Sequence, residues 1–415
     1  MIQGVTRRLL RSQPRPTQLG ACPRLLFFVA ALTIIARPCI ASGLLVWGPS
    51  ASDTALSGST VAEPKTPTGA MFSNPAALVL FGETTADFST AYALGKSRVD
   101  ASTPPDYDER HSFPVWAPAI GLAVPVERSG HSFHFGFALY GSVGNNFEFD
   151  ADPEAGVENR FFSEAGVFTG GVGMAYRFSE RLSVGAAITP LYGLSRARYT
   201  LGGLRFKYKL TGPGIQGILG LRWEPCDGLA LGLGIRTPGK VWMDGSMRLG
   251  DRRQDVDLEL RMPTQVFAGV TKHFGDRVIG SLAVRWSDTS SFGDSMVEFE
   301  VTDAADSPFV PRAKDEWMVS AGVEYHLNDI LTLRVGAGHA NAIVGEKGVS
   351  PLLFDTEDTR VSIGFGLNFD HWSLDFMVGH AFKSSRNIGD DEALIFPGRY
   401  TGGGELAMIG VSWRH

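Results

Sequence analysis

"EWMVSAGVEYHLNDILTLRVGAG", Glu316 to Gly338, is two runs of strict alternation around a short polar break. In the first run Trp317, Val319, Ala321, Val323 and Tyr325 fall on one face, and Met318, Ser320, Gly322, Glu324 and His326 on the other. A side-chain period of two belongs to a β-strand. "LND" (327–329) leaves room only for a tight reversal, so the stretch reads as two antiparallel strands. The apolar stripe starts and ends in aromatic rings, and the opposite face is small or charged.

The pattern recurs from about residue 85 to the end. In "HSFHFGFALYGSV" (131–143), His131, Phe133, Phe135, Phe137, Leu139 and Val143 alternate with Ser132, His134, Gly136, Ala138, Tyr140 and Ser142. "TRVSIGFGLNF" (359–369) alternates in the same way. These strands run to about 10–20 residues, against about 5–6 in soluble sheets. Tyr176, Trp223, Trp286, Trp372 and Trp413 sit near stripe ends, where a membrane interface suits a flat ring with a polar tip. Turns such as "ERSG" (127–130), "SER" (179–181) and "FGDR" (274–277) are short. Between them come longer polar stretches at 96–111, 149–164, 301–315, 341–358 and 384–400. Short and long connections in alternation predict an all-β fold: a transmembrane antiparallel β-barrel of about 14 strands over residues 85–415. In hydrocarbon an open sheet edge leaves backbone groups without partners, so the sheet must close.

Composition agrees with this. The 415 residues carry a net charge of −6, with 50 glycines and 27 phenylalanines. No basic block occurs in the body of the chain, which argues against a nucleic-acid partner. At the N-terminus Arg7, Arg8, Arg11, Arg15 and Arg24 precede "LLFFVAALTIIA", which is too short to span a bilayer, and small residues follow. The expectation is a signal peptide over 1–41, export, and integral residence in the outer membrane of a Gram-negative cell. Cys22 and Cys39 leave with it, so Cys226 has no disulfide partner.

Residues 42–84 lack alternation and are rich in Gly, Ala, Ser, Thr and Pro, with one apolar run, "NPAALVLF" (74–81). A barrel of this size encloses more volume than its own side chains fill. An apolar run left in water would be an aggregation hazard. Both points predict a hatch inside the lumen, with Asn-Pro supplying a rigid turn.

A signal, a mature start of "SGLLVWG" type, the triad Asn74, Pro75, Ala76 and a barrel of about 14 strands together resemble the FadL-type outer-membrane transporters of long-chain fatty acids and hydrocarbons. The residue after the triad is Ala77, where that family usually has Gly. The resemblance implies passive uptake of hydrophobic compounds without catalysis or cofactor. It places the triad in the hatch and provides lateral exit at a kinked third strand. Here that strand contains Gly136, Gly141 and Gly144. The expected partners are fatty acids or hydrocarbons, outer-membrane lipid and the barrel-assembly machinery, for a monomeric barrel.

Lumen-side charges at Arg177, Arg285, Glu324, Arg334, Arg360 and Asp375 have two readings. Arg285, Arg334 and Arg360 can anchor a carboxylate, because a guanidinium fork bonds both oxygens. Alternatively, the charges pair with one another across the interior. The histidines sit on separate strands with no metal-ligand spacing. An outer-membrane barrel enzyme acting on lipids, a non-transporting structural or adhesive barrel, or a soluble extracellular β-protein remain open on residues alone. Heat-modifiable gel migration and ester hydrolysis would separate them.

Overall fold

The computed structural model describes residues 45–101, 108–149, 159–201, 204–299, 307–308, 312–349, 355–389 and 397–415. They form a closed antiparallel barrel of 14 strands. The first six are β1 (Thr85–Ala101), β2 (Asp108–Arg128), β3 (His131–Phe149), β4 (Asn159–Ser179), β5 (Leu182–Leu201) and β6 (Leu204–Cys226). The next four are interrupted: β7 (Leu229–Arg236, Gly239–Leu249), β8 (Arg252–Met262, Gln265–Phe274), β9 (Val278–Ser287, Met296–Phe299) and β10 (Ser307–Pro308, Glu316–His326). The last four are β11 (Leu331–Ala340), β12 (Asp358–Asn368), β13 (Trp372–Ile388) and β14 (Gly398–Arg414). β1 pairs with both β2 and β14, which closes the sheet.

The strands run further than the alternation alone suggests. β1, β2, β4, β13 and β14 extend into stretches that read as loops, because the chain stays paired above the membrane. One face assignment also changes. The β3–β4 register shifts between Gly141 and Val143, so Val143 turns inward and is buried instead of continuing the outer stripe. A bulge of this kind inserts one residue and flips the phase beyond it.

Outward side chains are the large apolar ones. Trp116, Phe135, Ile188, Leu219, Trp317 and Ile363 are all exposed. Inward positions are small or polar, and the space they leave is filled twice. Near the short turns lies the hatch, described from Leu45. It carries two short helices, α1 (Ala51–Ala55) and α2 (Pro67–Ser73), and a 3-10 turn at Pro75–Leu80. Nearer the long loops, inward Val241, Met243, Leu258 and Met262 pack with Phe292, Ile343 and Val344 in a second apolar core.

The breaks in β7 and β8 fall at Pro238 and Pro263, residues that cannot donate to a ladder. The buried side chain of Gln216 on β6 spans both. Its amide donates to the Thr237 carbonyl at 2.7 Å and to the Pro263 carbonyl at 3.0 Å, satisfying groups that the breaks release.

Candidate functional site

The hatch is fastened through the Asn-Pro-Ala triad. Asn74 is fully buried, and its amide donates to the Val61 carbonyl within the hatch at 3.1 Å and to the Leu221 carbonyl of β6 at 3.0 Å. Its Oδ1 accepts from the Ala76 N–H at 3.2 Å, capping the 3-10 turn whose first residue is Pro75. On the other side Ser183 of β5 donates to the Ala76 carbonyl at 3.1 Å. A side chain at Gly185 would meet the Ala76 nitrogen at 2.5 Å and one at Gly220 would meet it at 2.7 Å, so the wall is glycine where the triad touches it.

Wall arginines hold the hatch by its main chain. Arg177 donates to the Val79 carbonyl at 2.7 Å, Arg222 to Ala62 at 2.9 Å, Arg236 to Phe72 at 2.6 Å and Arg285 to Val46 at 2.6 Å. Of the three arginines expected to anchor a carboxylate, two are already engaged by acidic side chains away from the cavity described below. Arg285 is paired with Glu316 at 2.9 Å, and Arg334 contacts Glu324 and Asp375 at 2.6 Å each. Lys65 of the hatch joins that network at 3.1 Å from Glu324, and Glu63 meets His273 at 2.8 Å. Burial pushes the Glu63 carboxyl upward, but Lys65 and His273 outweigh it and hold the group below its usual range. Asp53 organises the hatch internally, accepting from Thr60 Oγ1 at 2.7 Å, Lys65 N–H at 2.9 Å and Thr66 Oγ1 at 3.1 Å.

Sequence reasoning missed Arg236 altogether. It is almost wholly buried and makes no ion pair among the described residues; beyond Phe72 it touches Tyr140 Oη at 3.1 Å and lies over the Phe72 ring. Only its inward parity on "LGLGIR" could have flagged it.

The wall is not continuous between β2 and β3. Their pairing starts at Arg128–His131 and ends at Ile120–Leu139. Beyond that point β2 pairs only with β1, and β3 only with β4. Leu45 takes the vacated place through a bridge to Val143, with the Val46 N–H 3.5 Å from the Ser142 carbonyl. Inside this seam is a cavity lined by Trp47, Ala91, Ala117, Ala119, Tyr140 and Gly141, with Met377 and Met408 behind. Arg360 reaches it, stacked 4.1 Å over the Trp47 ring and paired with Asp358. The three glycines of β3 are therefore not equivalent. Gly136 sits in the paired half, where Leu78 and Met71 of the hatch press against it; Gly141 stands at the bulge with open space beside it, and Gly144 lies just beyond. Among the described residues no cluster of His, Cys, Asp and Glu could hold a metal ion.

Residues 205–408 match the family model described as outer membrane protein transport protein (OMPP1/FadL/TodX). The fold is that of several solved barrels. A Pseudomonas aeruginosa FadL homologue is 16% identical, with a TM-score of 0.77 over 90% of this chain and 100% of that one. The Pseudomonas putida toluene transporter TodX is 16% identical, with a TM-score of 0.71 over 89% and 99%. The Ralstonia pickettii toluene transporter TbuX is 19% identical, with a TM-score of 0.69 over 89% and 98%. No curated protein sequence is significantly similar to the chain.

Proposed function

We propose that this barrel, which shares the fold of the FadL- and TodX-type structures and matches their family model over residues 205–408, is a passive outer-membrane uptake channel for small hydrophobic molecules which leave sideways through the β2–β3 seam. The observation that carries the reading is the continuity of an apolar cavity with the stretch of wall where β2 and β3 are unpaired. The seam opens beside exposed Trp116 and Ile120, within the apolar outer band. Moving a greasy solute through water costs about 25 cal/mol for each Å² of apolar surface exposed, so exit into lipid is favoured over exit through the hatch. The hatch, fastened by its own carbonyls, stays in place, and Leu45–Trp47 is the part that lies across the route.

The cavity lining also bears on substrate class. Among the described residues Arg360 is the only arginine that reaches it, and Asp358 neutralises that charge; Glu405, which also lines the cavity, is bonded to His380 and Lys96. An apolar chamber with a compensated cation suits uncharged hydrocarbons better than fatty-acid carboxylates. No step of this route is catalytic.

The test is Gly141→Trp, which fills the seam from a position with open space beside it. Uptake of toluene and of long-chain fatty acid into proteoliposomes should both fall to the protein-free rate while the barrel still migrates as a compact species. Undiminished uptake by the folded variant would rule the seam out as the exit.

A further inference from the structure

On the outward side of β5 to β8, beyond the apolar band, four cations stand in a lateral row. Arg198 pairs in register with Lys207, Lys207 with Arg248, and Arg248 with Arg253. All four are exposed. Like charges directly opposite one another across a sheet are destabilising. Among the described residues none of the four is in an ion pair; Arg198 has only the Phe162 ring, 5.9 Å away. In the row nearer the membrane Arg196 faces Lys209, and Arg196 is paired with Glu164. Of the nearby described carboxylates, Asp244, Asp255 and Asp257 lie on rows closer to the membrane than the four cations, and Asp251 sits in the turn beyond Arg248 and Arg253 without an ion pair to either.

The height of the row narrows the choice of counter-ion. Lys207 is sixteen residues along β6 from the interfacial Trp223. At a rise of about 3.3 Å per residue and a tilt of about 40°, that is about 40 Å, whereas the apolar band of such barrels is about 25 Å tall. The row therefore stands about 15 Å outside the hydrocarbon, level with head groups and sugars rather than acyl chains. With strands about 4.8 Å apart it is about 14 Å long, wider than a single phosphate.

We propose that this row is a binding site for the polyanionic head group of a phosphorylated outer-leaflet glycolipid. Its phosphates and acidic sugars supply the negative charge that no described residue pairs with the row, and the mutual repulsion of the cations is relieved when that lipid is seated. The site lies on the outer wall, away from the seam and the hatch, so it is independent of the transport reading.

The experiment uses the full barrel and its Arg198→Gln/Lys207→Gln variant in nanodiscs of neutral phospholipid, doped with lipopolysaccharide lacking outer sugars or with its dephosphorylated form. Each cation near an anionic lipid surface strengthens binding by about fivefold, so the double variant should hold the phosphorylated glycolipid about 25-fold more weakly by native mass spectrometry. Added salt should erase the difference. In neutral detergent at low salt the order reverses: the variant, freed of like-charge contacts, should unfold at the same or a higher temperature than the wild type. That measurement also shows that the variant folds. Equal retention of phosphorylated glycolipid by the two proteins, or equal retention of the phosphorylated and dephosphorylated forms by the wild type, would overturn the proposal.

Discussion

Replacing Asn74 by alanine should loosen the hatch without unfolding the barrel. The substitution removes two donated bonds, to the Val61 and Leu221 carbonyls, and the cap on the Ala76 N–H. A net hydrogen bond contributes about 1 kcal/mol, and an acceptor left buried and unpartnered costs about 1–3 kcal/mol. A lost cap costs about 1 kcal/mol. Since the Leu221 carbonyl belongs to a strand and the site can relax, the total is about 3 kcal/mol, equivalent to about a hundredfold in an equilibrium constant. The affected equilibrium is seated against unseated hatch, because the strand ladders are untouched. Single-channel recording in planar bilayers reads it directly: open events in the variant should be about a hundredfold more frequent, at unchanged gel mobility and unfolding temperature. An alanine variant that folds compactly and seals like the wild type would refute the assignment of Asn74 as the hatch fastener. Deleting residues 43–76 sets the upper limit of the same measurement, a folded and permanently leaky barrel.

Other outcomes are expected from the same geometry. Gly220→Val drives a side chain into the triad, where a Cβ alone would meet the Ala76 nitrogen at 2.7 Å, and should raise leak conductance as strongly as the Asn74 change. Asp358→Asn frees the Arg360 guanidinium beside the cavity; a charge-assisted bond contributes about 1.5–3 kcal/mol, so binding of a long-chain carboxylate should tighten at least about tenfold while toluene binding stays put. Gln216→Leu leaves the Thr237 and Pro263 carbonyls unpartnered and should lower the unfolding temperature with no gain in leak. In the outer loop, burial pushes the Asp355 carboxyl up to about 6 against the backbone N–H groups of Ile343 and Val344 that favour its ionised form. A group with a raised folded pKa stabilises below its unfolded value and loses that contribution as pH rises through the folded one. Protection factors for hydrogen exchange over residues 341–349, corrected for the intrinsic rate, should therefore be highest near pH 4 and fall through pH 6, and the Asp355→Asn variant should lose this dependence.

Alternation and turn chemistry made most of the wall legible, since the two faces of each strand meet solvents of opposite kind. Difficulty concentrated where chemistry breaks the period. Pro238 and Pro263 interrupt β7 and β8 near their middles, and a proline inside an alternating run argues against a strand. What rescues those strands is Gln216, distant in sequence from Pro263 and unremarkable by itself. The seam was legible only as a glycine-rich third strand; that Gly141 stands at the break while Gly136 lies under the hatch depends on the bulge at Ser142, which has no signature of its own. The lumen charges were placed on the correct face, but their partners come from other strands and from the hatch, a matter of barrel closure rather than local pattern. The hatch itself showed up by what it lacked, with Asn74-Pro75-Ala76 as its one positive mark.

The manner in which the wall arginines grip the hatch has an evolutionary and practical corollary. Arg177, Arg222, Arg236 and Arg285 bind peptide oxygens, which every residue supplies. At these four contacts the stopper is recognised by its trace and not by its lettering, so side chains other than those that bond the wall themselves, such as Asn74, Glu63 and Lys65, can drift or be redesigned at little cost to retention. An engineer seeking a new filter could rewrite the surface of this insert that faces the chamber and leave the barrel as it is.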